Sequence, residues 1–225
     1  MVKSSEIITL HRDDPDKQPL SGNIKVTRED WLNVAMDLLV SDGVGEVKVL
    51  AIGDRLGVSR SSFYWYFKSR QDLLDALLEH WQATNTAALV AASQEDAPTI
   101  TQAVCNVFRC FLNPERFHNA LDFAVRDWAR RSGKVRKALD RSDTTRLDAL
   151  EAMFIRYGYE PGDAKSRGRI LYFMQLGYNA AELDETLEER LAILPDYIVG
   201  FTGIAAKQEE LEAFSTDVTT ILKRT

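Results

Sequence analysis

No apolar run in these 225 residues reaches the ~18 residues that a bilayer-crossing helix needs. The amino terminus carries Glu6, Asp13, Asp14 and Asp16, where a secretory leader would be basic and then apolar. A cytoplasmic protein with no membrane partner is the expectation. Cysteine is scarce. Cys105 and Cys110 sit five residues apart in one apparent helix, which sets them about 140° apart around its axis and makes a bridge between them geometrically poor. They read as free core thiols of a reducing compartment, with redox sensing as the other reading. The three histidines, His11, His80 and His118, are scattered, no Cys or His falls at metal-ligand spacing, and no glycine-rich phosphate loop occurs. These absences argue against a metal site, a cofactor and an arranged nucleophile with its base, so no enzyme activity is expected. Net positive charge is lacking too. The formal charge of -6 repels phosphates at long range, which does not suit a protein that coats DNA indiscriminately. Any DNA binding should be directed to a site.

What the chain does have is 45% hydrophobic content, enough to bury a full core, and helical periodicity nearly throughout. Residues 1 to 25 contain Pro15 and Pro19, mix charges and show little period, so they read as a flexible arm from which Lys17 and Lys25 could touch DNA. Thr27-Arg-Glu-Asp30 has the form of a capping box, followed by Leu32, Ala35, Met36 and Leu39 at helical spacing up to Asp42-Gly43. A second helix is predicted over Val49 to Leu56 and a third over Arg60 to Phe67. A fourth, starting near Arg70, carries Leu73, Leu74, Leu77, Leu78 and Trp81 and is expected to link two domains. Between the second and third helices, Leu56-Gly57-Val58 supplies a glycine for a left-handed turn and Ser59 a candidate cap. Phe63 and Phe67 lie four residues apart and should face the core, while Arg60, Ser61 and Tyr64 project outward with Trp65 and Tyr66 at the rim. From Arg55 to Gln71 there are four cationic side chains, Arg55, Arg60, Lys68 and Arg70, and no carboxylate. That pattern suits the phosphate backbone of a duplex read by a helix-turn-helix.

The run Ile52-Gly-Asp-Arg-Leu-Gly-Val-Ser-Arg-Ser-Ser-Phe-Tyr-Trp-Tyr-Phe-Lys-Ser-Arg-Gln-Asp-Leu-Leu74 closely resembles the amino-terminal signature of the tetracycline-repressor (TetR) family, and the likeness extends over roughly residues 26 to 75. The resemblance implies that Arg60, Ser61, Ser62, Tyr64 and Trp65 approach base edges and sugars, and that Tyr66, Lys68 and Arg70 hold phosphates, with Thr27 and Lys48 completing the DNA-facing set. Lys48 and Leu50 depart from the pattern, standing where the family often has a capping threonine and a base-contacting arginine. This leaves groove contacts from the second helix open.

From Thr84 onward about six helices are predicted, with breaks at Ala97-Pro98, Asn113-Pro114, Ser132-Gly133, Tyr157-Gly158 to Pro161-Gly162, and Leu194-Pro195. Their apolar faces are rich in aromatics, which by spacing alone read as core. The resemblance implies a small-molecule pocket in this region. The expected lining is Phe108, Phe111, Phe123, Asp127, Trp128, Met153, Phe154, Tyr172 and Gln175, suited to a small apolar or amphipathic effector. Asp122 with Arg126, and Asp127 with Arg131, could equally be surface pairs. The basic stretch Arg126, Arg130, Arg131, Lys134, Arg136, Lys137 and Arg141 reads as a solvated face rather than a site for an anionic acyl thioester, because Asp127, Asp140 and Asp143 interleave with it. Small residues between Gly168 and Ala181 suit a close helix seam. By resemblance this seam is a homodimer interface made by helices around Arg167 to Glu182 and Leu187 to Phe201, with Leu171, Met174, Tyr178, Ala181, Ile198 and Phe201 as its residues.

The expected fold is therefore all-α. An arm (1-25) leads into a three-helix helix-turn-helix DNA-binding domain (26-75), which is joined to a larger helical effector-binding and dimerisation domain (76-225). The expected function is a transcriptional regulator on a double-stranded, pseudo-palindromic operator, most simply a repressor released by its effector. A regulator without a small-molecule effector, an activator, and a small all-helical enzyme are the alternatives.

Overall fold

The computed structural model describes residues 26–181 and 183–224, whose regular elements are all helices, with no strand among them. The predicted arm, with Lys17 and Lys25, lies outside the described residues. The chain separates into two compact units. One runs up to Trp81 and takes in Phe123–Arg136, and the other comprises Gln82–Asp122 and Lys137–Thr225.

The first unit begins with α1 (Arg28–Asp42). Thr27 is extended, its hydroxyl accepts from the Asp30 N–H at 3.2 Å, and the Asp30 carboxylate accepts from the Thr27 N–H at 2.7 Å, so both halves of the capping box form. Trp31, Leu32, Ala35, Met36 and Leu39 are buried along one side of α1. Next come α2 (Val49–Leu56) and the turn at Gly57, whose φ of 64° is the left-handed conformation a glycine adopts without Cβ strain. Gly53 has a different role. A Cβ there would stand 3.2 Å from the Val58 carbonyl oxygen and 3.6 Å from Trp31, so its missing side chain lets the turn close against α1.

The third helix is shorter than its sequence pattern suggests. α3 spans Arg60–Phe63, after which Tyr64, Trp65 and Tyr66 donate their N–H groups three residues back in a tightened turn. Consecutive aromatics lose χ1 freedom in a helix, and the 3₁₀-like turn relieves that crowding. Ser59 does not cap α3 with its side chain; its hydroxyl bonds instead to that of Ser61 at 2.7 Å. α4 (Arg70–Trp81) closes this part of the unit.

In the second unit a π-helical turn (Gln82–Thr86) leads into α5 (Ala87–Gln94) and α6 (Ile100–Leu112). α7 (Asn119–Ala129) and α8 (Gly133–Arg156) follow, with α7 beginning in this unit and α8 ending in it. α9 (Pro161–Ala180), α10 (Leu187–Thr202) and α11 (Gln208–Arg224) complete it. Among the described residues that makes seven helices from α5 onward, where about six were expected. Pro195 does not break α10. The proline forfeits one backbone hydrogen bond, and a complete capping box at Thr186 and Glu189, with Leu194, Ile198 and Phe201 buried, holds the helix through it.

This core carries a charged centre that the sequence pattern does not announce. Arg146 of α8 is fully buried and donates to the Asp122 carboxylate at 2.9 Å, the Tyr172 hydroxyl at 3.1 Å and the Thr86 hydroxyl at 3.1 Å. Asp122 is therefore not a surface residue. The π-helical turn supplies Thr86 to this cluster. It also supplies the buried Asn85, whose amide exchanges hydrogen bonds with the backbone of His118. Cys105 and Cys110 are free and buried, and burial pushes their thiols up to about 12 and about 11.

Candidate nucleic-acid interface and ligand cleft

The outward face of α2, the Gly57 turn and α3 is built from the inside. Phe63 and Phe67 are 0% and 2% exposed, as their spacing predicts. The Phe63 ring meets Trp31 edge-on at 5.3 Å and stacks on Phe67 at 5.4 Å, while the Arg28 guanidinium covers Phe67 at 4.9 Å. With one side of α3 fixed in this way, the other must face water. Tyr64 is 52% exposed and Trp65 85%, and both Arg60 and Ser61 are exposed. Arg60 donates to the Tyr64 hydroxyl at 3.1 Å, pairing a planar cation with an amphipathic ring on the surface. Ser62 is half-buried and donates back to the Ser59 carbonyl.

The remaining residues of the expected DNA-facing set divide. Lys68 is exposed. Thr27 is committed to the α1 cap. Lys48 stands at the start of α2 without capping it and pairs with Glu46 at 2.9 Å. The hydroxyl of Tyr66 donates to the Val26 carbonyl at 2.6 Å, and Arg70 donates to the Val47 and Val44 carbonyls at 2.6 and 2.5 Å. Tyr66 and Arg70 thus hold the unit's own backbone. Leu50, at the departure from the expected pattern, is exposed.

The second unit has an apolar cleft of about 160 Å³ between α6, α9, α10 and α11. Of the expected effector residues it brings together Phe108 and Gln175. Phe111, Met153, Phe154 and Tyr172 are packed in the core instead, and Tyr172 donates to Asp143 at 2.7 Å. Phe123, Asp127 and Trp128 fall in the other unit, with Asp127 exposed and Trp128 buried. Aromatic spacing alone does not separate a cleft wall from a filled core. Arg190 also lines the cleft, and no charge pattern in the sequence around it marks it for that place.

The expected dimer residues fall in different settings. Leu171, Ile198 and Phe201 are buried inside the unit. Met174 and Tyr178 line the cleft, and Ala181 is exposed. The small residues in α9 serve more than one end. A Cβ on Gly168 would stand 3.2 Å from the Glu151 nitrogen, so that glycine lets α9 approach α8, whereas Gly177 faces open space. On α9 and α10 the large apolar side chains that are exposed are Ile170, Phe173, Ile193 and Val199; Ile155 of α8 and Leu222 of α11 are exposed as well.

A helical chain with a glycine-turned helix pair, two aromatic anchors beneath it and a basic, aromatic outer face belongs to the helix-turn-helix class. Residues 32–77 match the family of bacterial regulatory proteins described as tetR. The chain is 30% identical over 148 residues to the tetracycline repressor protein class A from transposon 1721 of Escherichia coli, covering 65% of this chain and 62% of that protein. To the class C tetracycline repressor protein of the same organism it is 30% identical over 142 residues, covering 62% and 58%. The match thus spans under two thirds of either relative. Among solved structures, a transcriptional regulator from Rhodococcus sp. Rha1 overlays with a TM-score of 0.56 at 16% identity, covering 88% of this chain and 97% of that one. AmtR of Mycobacterium smegmatis gives 0.56 at 17%, covering 90% and 98%. Residues 32–77 are thus similar to the tetR family of bacterial regulatory proteins, and the solved regulators share the fold of the chain.

Proposed function

We propose that this protein is a transcriptional regulator that binds a pseudo-palindromic DNA operator as a homodimer and, as a repressor, leaves it when a small, largely apolar or amphipathic effector binds. One observation carries the DNA-binding part. Phe63 and Phe67 are buried while Arg60, Ser61, Tyr64 and Trp65 are turned outward along α3 and the turn that follows it. A buried aromatic base under an exposed polar face is what a helix laid in a major groove requires. Two such elements in a dimer read half-sites about 34 to 36 Å apart. The cleft between α6, α9, α10 and α11 supports the effector part, and a coupling of about 1 to 3 kcal/mol would change operator affinity about 5- to 150-fold.

The test is a pair of substitutions read against a panel of DNA sequences. Arg60→Ala should cost about 1 to 3 kcal/mol, concentrated at particular base pairs, because a guanidinium on a base edge discriminates. Lys68→Ala should weaken all duplexes alike and lower the salt slope by about one. Equal loss on every duplex for Arg60→Ala would reduce Arg60 to a backbone contact. The dimer is tested on the face that the chain leaves exposed. Phe173→Glu, which places a charge beside Ile170, should yield monomers by light scattering with helical content intact, whereas an unchanged mass would move the interface elsewhere.

A further inference from the structure

The cleft of the second unit holds a group that an apolar wall does not tolerate without a reason. Phe108, Met174, Leu191, Leu194 and Phe214 make a greasy lining, and Arg190 of α10 stands among them. Its guanidinium lies 5.4 Å from the centre of the Tyr178 ring, and its Nε is sealed from solvent with no hydrogen-bond partner. Among the described residues no carboxylate lies within ion-pair distance of it. Other inward arginines of this unit are met by acidic acceptors: Arg146 by Asp122, Arg109 by Asp217, Arg116 by Glu95 and Arg167 by Asp163.

Of the other polar side chains of the cleft, Gln175, Asn179 and Tyr178 are engaged, while the Tyr197 hydroxyl makes no hydrogen bond among the described residues and is a second, neutral donor in the lining. Gln175 donates to Asn179 at 2.8 Å, Asn179 donates to Asn119 at 2.7 Å, and the Tyr178 hydroxyl donates to Glu185. Arg190 is therefore the charged donor of the lining without an acceptor. Arg190 as a whole is half-buried, but its sealed Nε donor is left unbonded, which is costly, and an arginine cannot relieve that cost by losing its proton.

We propose that the cleft binds a small apolar carboxylate, with the carboxylate accepting hydrogen bonds from Arg190 and the apolar body lying against Phe108, Leu194 and Phe214. Its significance for regulation rests on the effector reading above; the binding itself does not. The size follows from the volume. A cavity of about 160 Å³ is close to the roughly 150 Å³ that accommodates benzene in an apolar protein interior, so the body is about one aromatic ring. The lining contributes no Asp or Glu, so nothing in it repels an anion, while an ammonium head would meet Arg190.

Calorimetric titration of the full chain without DNA tests this, using benzoate with benzamide and benzylamine as neutral and cationic counterparts of the same size. Benzoate should bind at least about tenfold more tightly than either, as expected for a charge-assisted, forked hydrogen bond. Arg190→Gln should remove the preference, and Arg190→Lys, which keeps the charge without the planar fork, should retain part of it. Both variants are first checked for native helical content. Equal binding of benzoate and benzamide, survival of the preference in Arg190→Gln, or failure of all three probes to bind would each overturn the proposal. Operator affinity is measured separately. Arg190-dependent benzoate binding that leaves DNA affinity unchanged supports this site and overturns the effector reading, whereas DNA release by benzamide with no preference for benzoate overturns the carboxylate assignment and leaves the effector reading standing.

Discussion

Asp122→Ala is expected to destabilise the protein by about 3 to 5 kcal/mol, because it strips the carboxylate from a cation that has no route to water. Arg146 is 0% exposed and Asp122 1%. Burial opposes the charge on Arg146, yet the Asp122 carboxylate and the Tyr172 hydroxyl outweigh it and hold the guanidinium above its ordinary pKa. A guanidinium does not shed its proton in a protein, so the arginine stays charged when Asp122 is removed. The Phe117 ring, 5.3 Å from the guanidinium carbon, and the hydroxyls of Thr86 and Tyr172 cannot replace a full negative charge. Urea unfolding followed by circular dichroism measures the loss. Adding Arg146→Met to Asp122→Ala should recover part of it, since the stranded charge goes too, and the two costs should fall well short of adding. A loss below about 1 kcal/mol for Asp122→Ala alone would refute the buried-pair account.

Phe63→Ala should cost a similar amount, about 3 to 5 kcal/mol, by emptying a fully buried aromatic site. Its functional signature differs from that of a surface contact. The ring holds α3 to Trp31 and Phe67, so its loss should weaken binding to every duplex, specific or not, while leaving ligand binding in the second unit intact. Trp65→Ala, 85% exposed, should change stability by no more than about 0.5 kcal/mol and act on DNA affinity alone. Fluorescence-monitored unfolding alongside DNA anisotropy separates the two. If Phe63→Ala kept wild-type operator affinity, the anchor would have no bearing on reading DNA.

Much of the first unit was legible because its signals are local. The Thr27–Asp30 capping box, the span of α2 and the left-handed Gly57 each follow from residues within one turn of chain. The end of α3 was not, since the pattern of Phe63 and Phe67 fits both a helix and the tighter turn that forms. In the second unit the sequence does not mark which side of α9 faces inward. Two apolar stripes compete on α9, and only the folded chain shows that Leu171 is inside and Phe173 outside. Arg146 and Asp122 were out of reach for a different reason. They are separated by 24 positions and meet only after α7 and α8 have packed. Arg190 becomes informative only once it is seen to lack an acceptor, which no sequence records.

The inward bonds of Tyr66 and Arg70 have a consequence for kinetics. By fastening Val26, Val44 and Val47 to the segment that follows α3, they hold in one arrangement the surface proposed above to read DNA, before any duplex arrives. Docking then demands little ordering of this segment, so encounter resembles the meeting of two preformed shapes rather than folding upon contact.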